Sequence, residues 1–274
     1  MQPMRRAAGG RTDVRPLRPF CTGVFSLRHR ILGVPVDAVT LTQAVETVAG
    51  WVRGGGTHYI VTPNPEIILM RDRPGVLAAL DGADLALADG IGVVWAARRL
   101  GTPVPERVAG ADLTEAILAL GEREHFRFYV LGGQPGVAAE AARRAQAAHP
   151  GIVIAGSHHG YFSAADEAEL ANEIRAANPD ILLVGLGAPK QELWLHRWAG
   201  ATGARVALGV GGVLDVLAGR KLRPPVWLRR IGLEWLYYLI RQPSRWRRQL
   251  ALPRFVFAVL AARRARRQSG RGQT

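Results

Sequence analysis

The stretch Ala83–Leu113, ADLALADGIGVVWAARRLGTPVPERVAGADL, decides the fold that we predict. Its apolar residues Leu85–Ala88 are typical of a buried strand, and the following residues Val93–Leu100 have helical spacing. Asp89 lies between the two, where a parallel sheet meets its helix. In open α/β sheets, ligands bind in the crevice outside the carboxyl ends of the strands. We therefore expect the Asp89 carboxylate to face a ligand.

Arg107 follows a stiff loop that contains Pro103 and Pro105, and we expect this loop to return Arg107 toward the same crevice. A simpler interpretation stays open at this point. In that interpretation Asp89 caps the next helix and Arg107 pairs with its neighbour Glu106, because caps and turns are the commonest roles of an isolated Asp-Gly.

Outward from this stretch, predicted strands and helices alternate from residue 31 to residue 219. Such alternation indicates a mainly parallel sheet with right-handed crossovers and helices on both faces, so we predict a Rossmann-like α/β fold. The predicted strands are Ile31–Val36, His58–Val61, Leu85–Ala88, Phe128–Leu131, Ile152–Ala155, Ile181–Val184 and Arg205–Leu208. The predicted helices are Leu41–Val52, Glu66–Arg71, Val93–Leu100, Leu113–Glu122, Val137–Ala148, Ala164–Ala177, a helix that carries Trp194, and Val213–Leu217.

Charge is distributed unevenly along the 274 residues, whose formal net charge is +14. Residues 220–274 contain 15 Lys or Arg and one acidic residue, Glu234. Residues 1–30 contain seven arginines and one aspartate, whereas residues 31–219 contain 14 basic and 20 acidic residues. We therefore predict a flexible basic arm over residues 1–30, an α/β core over 31–219 and a basic, amphipathic, helical appendage over 220–274.

The predicted appendage interleaves aromatic residues and arginines at helical spacing, from Trp227 to Arg241 and again from Phe255 to Ala262. These helices are too short and too charged to span a bilayer, but they suit the headgroup region of an anionic membrane. Two alternatives stay open. The aromatic residues pack on the sheet while the arginines are solvated, or the basic tail makes this a nucleic-acid-binding protein.

The single cysteine, Cys21, excludes a disulfide within the chain and is consistent with a reducing compartment. The sequence has no apolar run near twenty residues, and its start lacks the pattern of a signal peptide. We therefore expect a cytoplasmic location, with peripheral attachment to the inner face of the plasma membrane through the basic tail.

Three turns between a strand and a helix are rich in glycine, at Gly132-Gly133, Gly185–Gly187 and Gly209–Gly212. Glycine lets the backbone approach a phosphate, and the helix N-terminus behind it offers N–H groups. Three such turns at one sheet edge favour a nucleotide ligand. The dinucleotide fingerprint G-x-G-x-x-G is absent because Lys190 takes the place of the third glycine, so a nucleotide-dependent oxidoreductase is only an alternative.

We expect neither a metal site nor a cofactor. His158 and His159 are adjacent and would point apart on a strand, and one cysteine cannot build a zinc site. The sequence also lacks an Asp-x-Asp pair to hold Mg²⁺ under a sugar nucleotide. The charge of a leaving nucleoside diphosphate would then be met by arginines and helix ends.

Five ordered motifs together resemble the WecG/TagA/CpsF family of bacterial glycosyltransferases, glycosyltransferase family 26. They are TPN at 62–64, ADGIGVV at 88–94, PERVAG at 105–110, GLGAPKQE at 185–192 and GVGGVLDVLAG at 209–219, with further likeness over residues 222–250. The resemblance implies an inverting, metal-independent enzyme of surface-polysaccharide or cell-wall polymer synthesis. It would transfer a sugar such as N-acetylmannosamine, its uronic acid or glucose from a UDP-sugar to a polyprenyl-diphosphate-linked sugar. The particular donor and acceptor stay open. The oligomeric state stays open as well, with a homo-oligomer as one option. Nucleic acid is not an expected partner of an enzyme of this family.

The resemblance also implies roles for individual residues. Asp89 would be the general base that deprotonates the acceptor hydroxyl, and Thr62 would line the catalytic pocket with Asn64. Arg107 and Gln191 would hold the diphosphate or the substrate. The glycine-rich turns would add the binding residues Gly132, Gly133, Gly187 and Gly211. The appendage would add the arginines Arg220, Arg223, Arg229 and Arg230.

Overall fold

The computed structural model describes residues 27–230, 234–241 and 250–271, and it begins with an antiparallel hairpin. Strand β1 (Arg28–Ile31) pairs with strand β2 (Val34–Asp37). The prediction of one strand over residues 31–36 was wrong, because Leu32 and Gly33 have positive φ values of 51° and 88° and form a two-residue turn. Positive φ at both central residues is the geometry that joins tightly paired antiparallel strands.

Strands and helices then alternate as predicted, and the α/β fold class is confirmed. The remaining strands are β3 (His58–Val61), β4 (Leu85–Ala86), β5 (Arg127–Gly132), β6 (Val153–His158), β7 (Ile181–Gly185) and β8 (Val206–Gly209). The helices up to residue 217 are α1 (Leu41–Gly54), α2 (Pro65–Leu69), α3 (Val76–Asp81), α4 (Ile91–Arg99), α5 (Gly110–Glu124), α6 (Val137–Ala148), α7 (Glu167–Ala177), α8 (Lys190–Thr202) and α9 (Val213–Leu217). The short helix α3 was not predicted.

Within the described residues, strands β3 to β8 form one parallel sheet in the order β4-β3-β8-β7-β5-β6. Successive side chains of a strand enter opposite cores: Leu182 and Val184 of β7 join one, and Ile181 and Leu183 join the other. The first core is covered by the hairpin and by α2, α3, α4, α7 and α8, and the second by α1, α5, α6 and α9. Burial on both faces explains why the strands read as unbroken apolar runs.

Neighbouring strands β3 and β8 send their helices to opposite faces of the sheet. Helix α2, which follows β3, lies on the first core, whereas α9, which follows β8, lies on the second. This divergence opens a crevice at the carboxyl ends of the two strands, where ligands bind in open α/β sheets.

Asp37 ties the hairpin to the sheet. Its buried carboxylate accepts hydrogen bonds from Nε and Nη2 of Arg28, both at 2.8 Å, and from the backbone N–H of Ala86 at 2.7 Å. Arg28 also donates to the carbonyl oxygens of Ala83 and Asp84 at 2.9 Å. The hairpin therefore fixes the start of β4, the strand that leads to Asp89.

The C-terminal segment forms α10 (Val226–Arg230), α11 (Glu234–Arg241) and α12 (Ala251–Arg271). Helix α12 packs on α2 and α4, and its side chains Phe255 and Val259 are buried in the first core. Arg266 donates from Nη1 to the carbonyl oxygen of Leu100, at the end of α4 (2.8 Å). None of the helices in the described ranges is long and apolar enough to cross a membrane.

The alternative in which tail aromatics pack on the sheet domain therefore holds for Phe255. The division of the chain at residues 219 and 220 stays a prediction. The predicted basic arm lies almost wholly outside the described residues, which begin at residue 27.

Candidate active site

A cavity of about 410 Å³ lies at the carboxyl ends of strands β3, β4, β7 and β8. Its walls are the loops that follow these strands, together with residues of α11 and α12. It brings together eight of the predicted site residues: Thr62, Asn64, Asp89, Arg107, Gly187, Gln191, Gly211 and Arg223.

Backbone hydrogen bonds hold Asp89 and the Arg107 loop side by side. The N–H of Asp89 donates to the carbonyl oxygen of Pro63 (3.1 Å), and the N–H of Val108 donates to that of Ala88 (3.0 Å). The loop that contains Pro103 and Pro105 thus returns to the crevice, as we expected from the sequence.

The simpler interpretation of these two residues was wrong. The N-cap of α4 is Gly90, without a capping side-chain hydrogen bond. Arg107 pairs with Glu234 (Nη1 to Oε1, 2.7 Å) and with Asp112 (Nη2 to Oδ2, 3.2 Å). The Glu106 carboxylate instead accepts a hydrogen bond from the N–H of Leu41.

The environment of Asp89 favours its protonated form. Burial raises the pKa of Asp89 from 3.8 to about 7, against the attraction of Arg107, and the charges of Glu234 and Asp112 raise it further. The N–H of Gly110, at the start of α5, hydrogen-bonds the carboxylate and lowers the pKa. A carboxyl group with a pKa near neutrality can accept and release a proton at physiological pH.

Thr62 and Asn64 continue from the end of β3 into the cavity wall. The Asn64 side-chain oxygen caps α2 by accepting from the N–H of Ile67 at 3.0 Å, so Nδ2 is the polar atom that a ligand can use. Thr62 is buried against Gly110, where an added Cβ would lie 3.4 Å from the Thr62 Oγ1. Glycine at position 110 therefore allows α5 to begin close to Thr62.

Gln191 is buried in the floor of the cavity, and its amide bonds within the protein. Its Oε1 accepts from the N–H of Gly211 at 2.7 Å, and its Nε2 donates to Oε1 of Glu192 at 3.2 Å. Gln191 thus holds the turn after β8 in place, in addition to lining the cavity. Burial raises the pKa of Glu192, whose Oε2 is buried without a hydrogen-bond partner among the described residues.

Three cations line the cavity in the described residues, and each meets a carboxylate. Arg107 pairs with Glu234 and Asp112, and Arg223 also pairs with Asp112. Lys221 pairs with Asp215. The wall is therefore a set of ion pairs rather than a bare cationic surface.

The other predicted binding residues do not line this cavity or cannot be judged. Gly132 and Gly133 pack backbone to backbone on β7, with the Gly133 N–H donating to the Gly185 carbonyl oxygen at 3.1 Å. Arg220 donates to Oε1 of Gln134 at 3.4 Å. Arg229 and Arg230 belong to α10, but their side chains lie outside what the structure describes.

Sequence reasoning gave no role to four charged residues of the wall, Glu66, Glu192, Lys221 and Glu234. Glu192 belongs to the GLGAPKQE motif, and Glu234 is the single acidic residue of residues 220–274. In the described ranges, no group of three or more His, Cys, Asp or Glu residues is arranged to hold a metal ion.

Comparison with known proteins identifies the class to which this fold and cavity belong. The model of the glycosyl transferase WecG/TagA/CpsF family matches residues 29–269. The chain therefore belongs to this family of glycosyl transferases, and the resemblance seen in its motifs is confirmed. The two alternative predictions, a nucleic-acid-binding protein and a nucleotide-dependent oxidoreductase, are protein classes different from this family.

Two relatives carry the same name, N-acetylglucosaminyldiphosphoundecaprenol N-acetyl-beta-D-mannosaminyltransferase. The one from Bacillus spizizenii is 40% identical over 208 residues, which cover 76% of this chain and 80% of the relative. The one from Staphylococcus aureus is 34% identical over 237 residues, which cover 85% of this chain and 92% of the relative.

Proposed function

We propose that this protein transfers N-acetylmannosamine from UDP-N-acetylmannosamine to N-acetylglucosamine carried by diphosphoundecaprenol, with inversion at the sugar carbon. The names of the two relatives supply the transferred sugar and the acceptor. The observation that carries the proposal is the Asp89 carboxyl in a cavity at the strand ends, with a pKa near 7.

In the proposed reaction Asp89 is the general base. Its carboxylate takes the proton of the acceptor hydroxyl as that oxygen bonds to the anomeric carbon, and the bond from this carbon to the diphosphate of UDP breaks. Thr62, and Asn64 through Nδ2, would position the two sugars beside Asp89.

UDP would leave as an anion that carries the charge released by bond cleavage. Arg107, Arg223 and Lys221 line the cavity and would stabilise this charge, as positioned cations do at a developing anion. Gln191 would act by holding the Gly211 turn, whose backbone lines the same cavity.

The test is UDP release from a panel of UDP-sugars, with and without the diphosphoundecaprenol-linked acceptor in vesicles. We expect release from UDP-N-acetylmannosamine that depends on the acceptor. Asp89→Asn should lower this rate by about 10²–10⁴ while UDP binding persists. Normal turnover by Asp89→Asn, or release that prefers another sugar, would contradict the proposal.

We also propose that the C-terminal segment docks on an anionic membrane surface, at the inner face where such an acceptor is built. Trp227, Ile240 and Phe257 are large apolar side chains with 63%, 69% and 72% exposure, and they stand in a segment rich in arginine. Exposed apolar groups beside arginines suit the interface of a bilayer.

Sedimentation with vesicles that contain anionic lipid tests the docking. Trp227→Glu should weaken binding several-fold, because it replaces an inserting ring by a repelled charge. Tyr161→Glu is the matched control, since Tyr161 is an aromatic side chain with 66% exposure on the loop after β6. Equal losses in both variants would show that only net charge matters and would count against docking through Trp227.

A further inference from the structure

The single acidic residue of the basic tail contacts the candidate site. Residues 220–274 contain 15 Lys or Arg and only Glu234 as an acid. Glu234 is the first residue of α11, it lines the cavity, and its Oε1 lies 2.7 Å from Nη1 of Arg107. Two residues separated by 127 positions are thus brought together at the wall that holds Asp89.

Two carboxylates restrain the Arg107 guanidinium, Glu234 from the C-terminal segment and Asp112 from the α/β core. Glu234 accepts from Nη1, and Asp112 of α5 accepts from Nη2 at 3.2 Å. Both pairs are mostly shielded, since the exposed fraction of the side chain is 18% for Arg107, 27% for Glu234 and 24% for Asp112. Carboxylates on both terminal nitrogens fix the plane of a guanidinium group.

Glu234 also adds to the charges that face Asp89. Those charges come from Arg107 on the loop after α4, Asp112 on α5 and Glu234 on α11. The negative charges of Glu234 and Asp112 raise the pKa of Asp89, and the positive charge of Arg107 lowers it. The remaining charged groups of the cavity wall are Glu66, Glu192, Lys221 and Arg223.

We propose that Glu234 is a positioning residue of this active site, which fixes the Arg107 guanidinium and places a negative charge beside Asp89. The tail then contributes a carboxylate to the site, in addition to any role of its arginines. This inference rests on the proposed transferase function for its activity readout only.

The experiment compares pH–rate profiles of the wild type, Glu234→Gln and Glu234→Asp with UDP-N-acetylmannosamine and the lipid-linked acceptor. In Glu234→Gln the acid limb of the profile should move to lower pH, by about half a pH unit or more, because a negative charge near Asp89 is lost. Its kcat at high pH should fall about tenfold because Arg107 is held less firmly. A residue that only stabilised the fold would leave the acid limb in place.

Glu234→Asp keeps the charge but shortens its reach to Arg107, so the acid limb should stay while kcat falls. Glu124→Gln is the matched control, because Glu124 pairs with Arg53 at the same 2.7 Å on the surface. Its profile should match the wild type. A Glu234→Gln profile that superimposes on the wild type overturns the inference, and if that variant does not fold, an unchanged kcat in Glu234→Asp does so.

A second readout needs no turnover. The titration of Asp89 makes the free energy of unfolding fall as pH rises from the unfolded pKa of Asp89 to its folded pKa. In Glu234→Gln this fall should end at lower pH and be smaller, because the folded pKa of Asp89 is lowered. If the wild type proves inactive with every donor, the proposed function fails, and this readout still decides the role of Glu234. An unchanged pH dependence of unfolding would then overturn it.

Discussion

The backbone N–H of Asp89 donates to the carbonyl oxygen of Pro63 at 3.1 Å, which couples the ends of β4 and β3. This bond sets Asp89 beside Thr62 and Asn64, the flanking residues of Pro63. The catalytic candidate and two polar residues of the cavity wall are therefore parts of one backbone arrangement.

The raised pKa of Asp89 predicts opposite pH dependences for activity and stability. Activity should rise with pH through about 7, because the base must lose its proton. The unfolded chain loses the same proton near pH 3.8, so between these values the folded state binds more protons and its stability falls as pH rises. At pH 8, Asp89→Asn should therefore be more stable than the wild type by about 1–3 kcal/mol.

Urea unfolding at pH 5 and pH 8 measures this difference. Asp72→Asn is the control, because the Asp72 side chain is 80% exposed and its pair with Arg71 is a surface contact. Equal stability of Asp89→Asn and wild type at both pH values would mean that Asp89 titrates normally.

Asp37→Ala should destabilise the protein by about 3–5 kcal/mol, because it leaves Arg28 and the Ala86 N–H without their carboxylate. Asp81→Ala is the comparison: Asp81 pairs with Arg30 at 2.9 Å, but the two side chains are 37% and 39% exposed. That substitution should cost less than about 1 kcal/mol. Denaturant midpoints with unchanged slopes would measure both, and similar losses would contradict the role given to Asp37.

Gly132→Ala should lower stability by about 2–4 kcal/mol rather than acting on ligand binding alone. An added Cβ would lie 2.3 Å from the carbonyl oxygen of Gly185, and φ at Gly132 is +136°. Gly200→Ala is the opposite case, because a Cβ there meets nothing within 4 Å in the exposed end of α8, and it should stabilise by up to about 1 kcal/mol. A fully stable Gly132→Ala that had lost UDP binding would restore the binding role predicted from the sequence.

Phe255→Ala should cost about 3–5 kcal/mol, because this side chain of α12 is 1% exposed in the first core. Phe257→Ala should cost less than about 0.5 kcal/mol, since Phe257 is 72% exposed on the same helix. Thermal unfolding followed by circular dichroism distinguishes them. Equal small losses would mean that α12 does not belong to the folded core.

The order of strands and helices was predictable because a doubly covered parallel sheet leaves unbroken apolar runs between glycine-rich turns. The hairpin was missed because Leu32, which has a φ of 51° in the turn, carries no turn signal in the sequence. The start of α1 carries a local signal, since Thr40 and Gln43 form a capping box there.

The candidate site was predictable where its residues follow strands, since the carboxyl ends of parallel strands meet at one edge. The contact of Arg107 with Glu234 was not predictable, because no local pattern joins residues 127 positions apart. The interpretation of Gly132 was incomplete for a different reason. Close approach of backbones and close approach of a phosphate both require glycine, and the sequence does not distinguish them.

The pairing of each described cation in the cavity wall with a carboxylate has a consequence for how ligands are selected. Neighbouring opposite charges cancel each other's field beyond a few ångströms, so the wall exerts little long-range pull on anions in general. Inorganic phosphate and stray nucleotides gain little by approaching it. Recognition then depends on a ligand that fits closely enough to accept hydrogen bonds from individual donors of the wall. The affinity for such a ligand should depend only weakly on ionic strength.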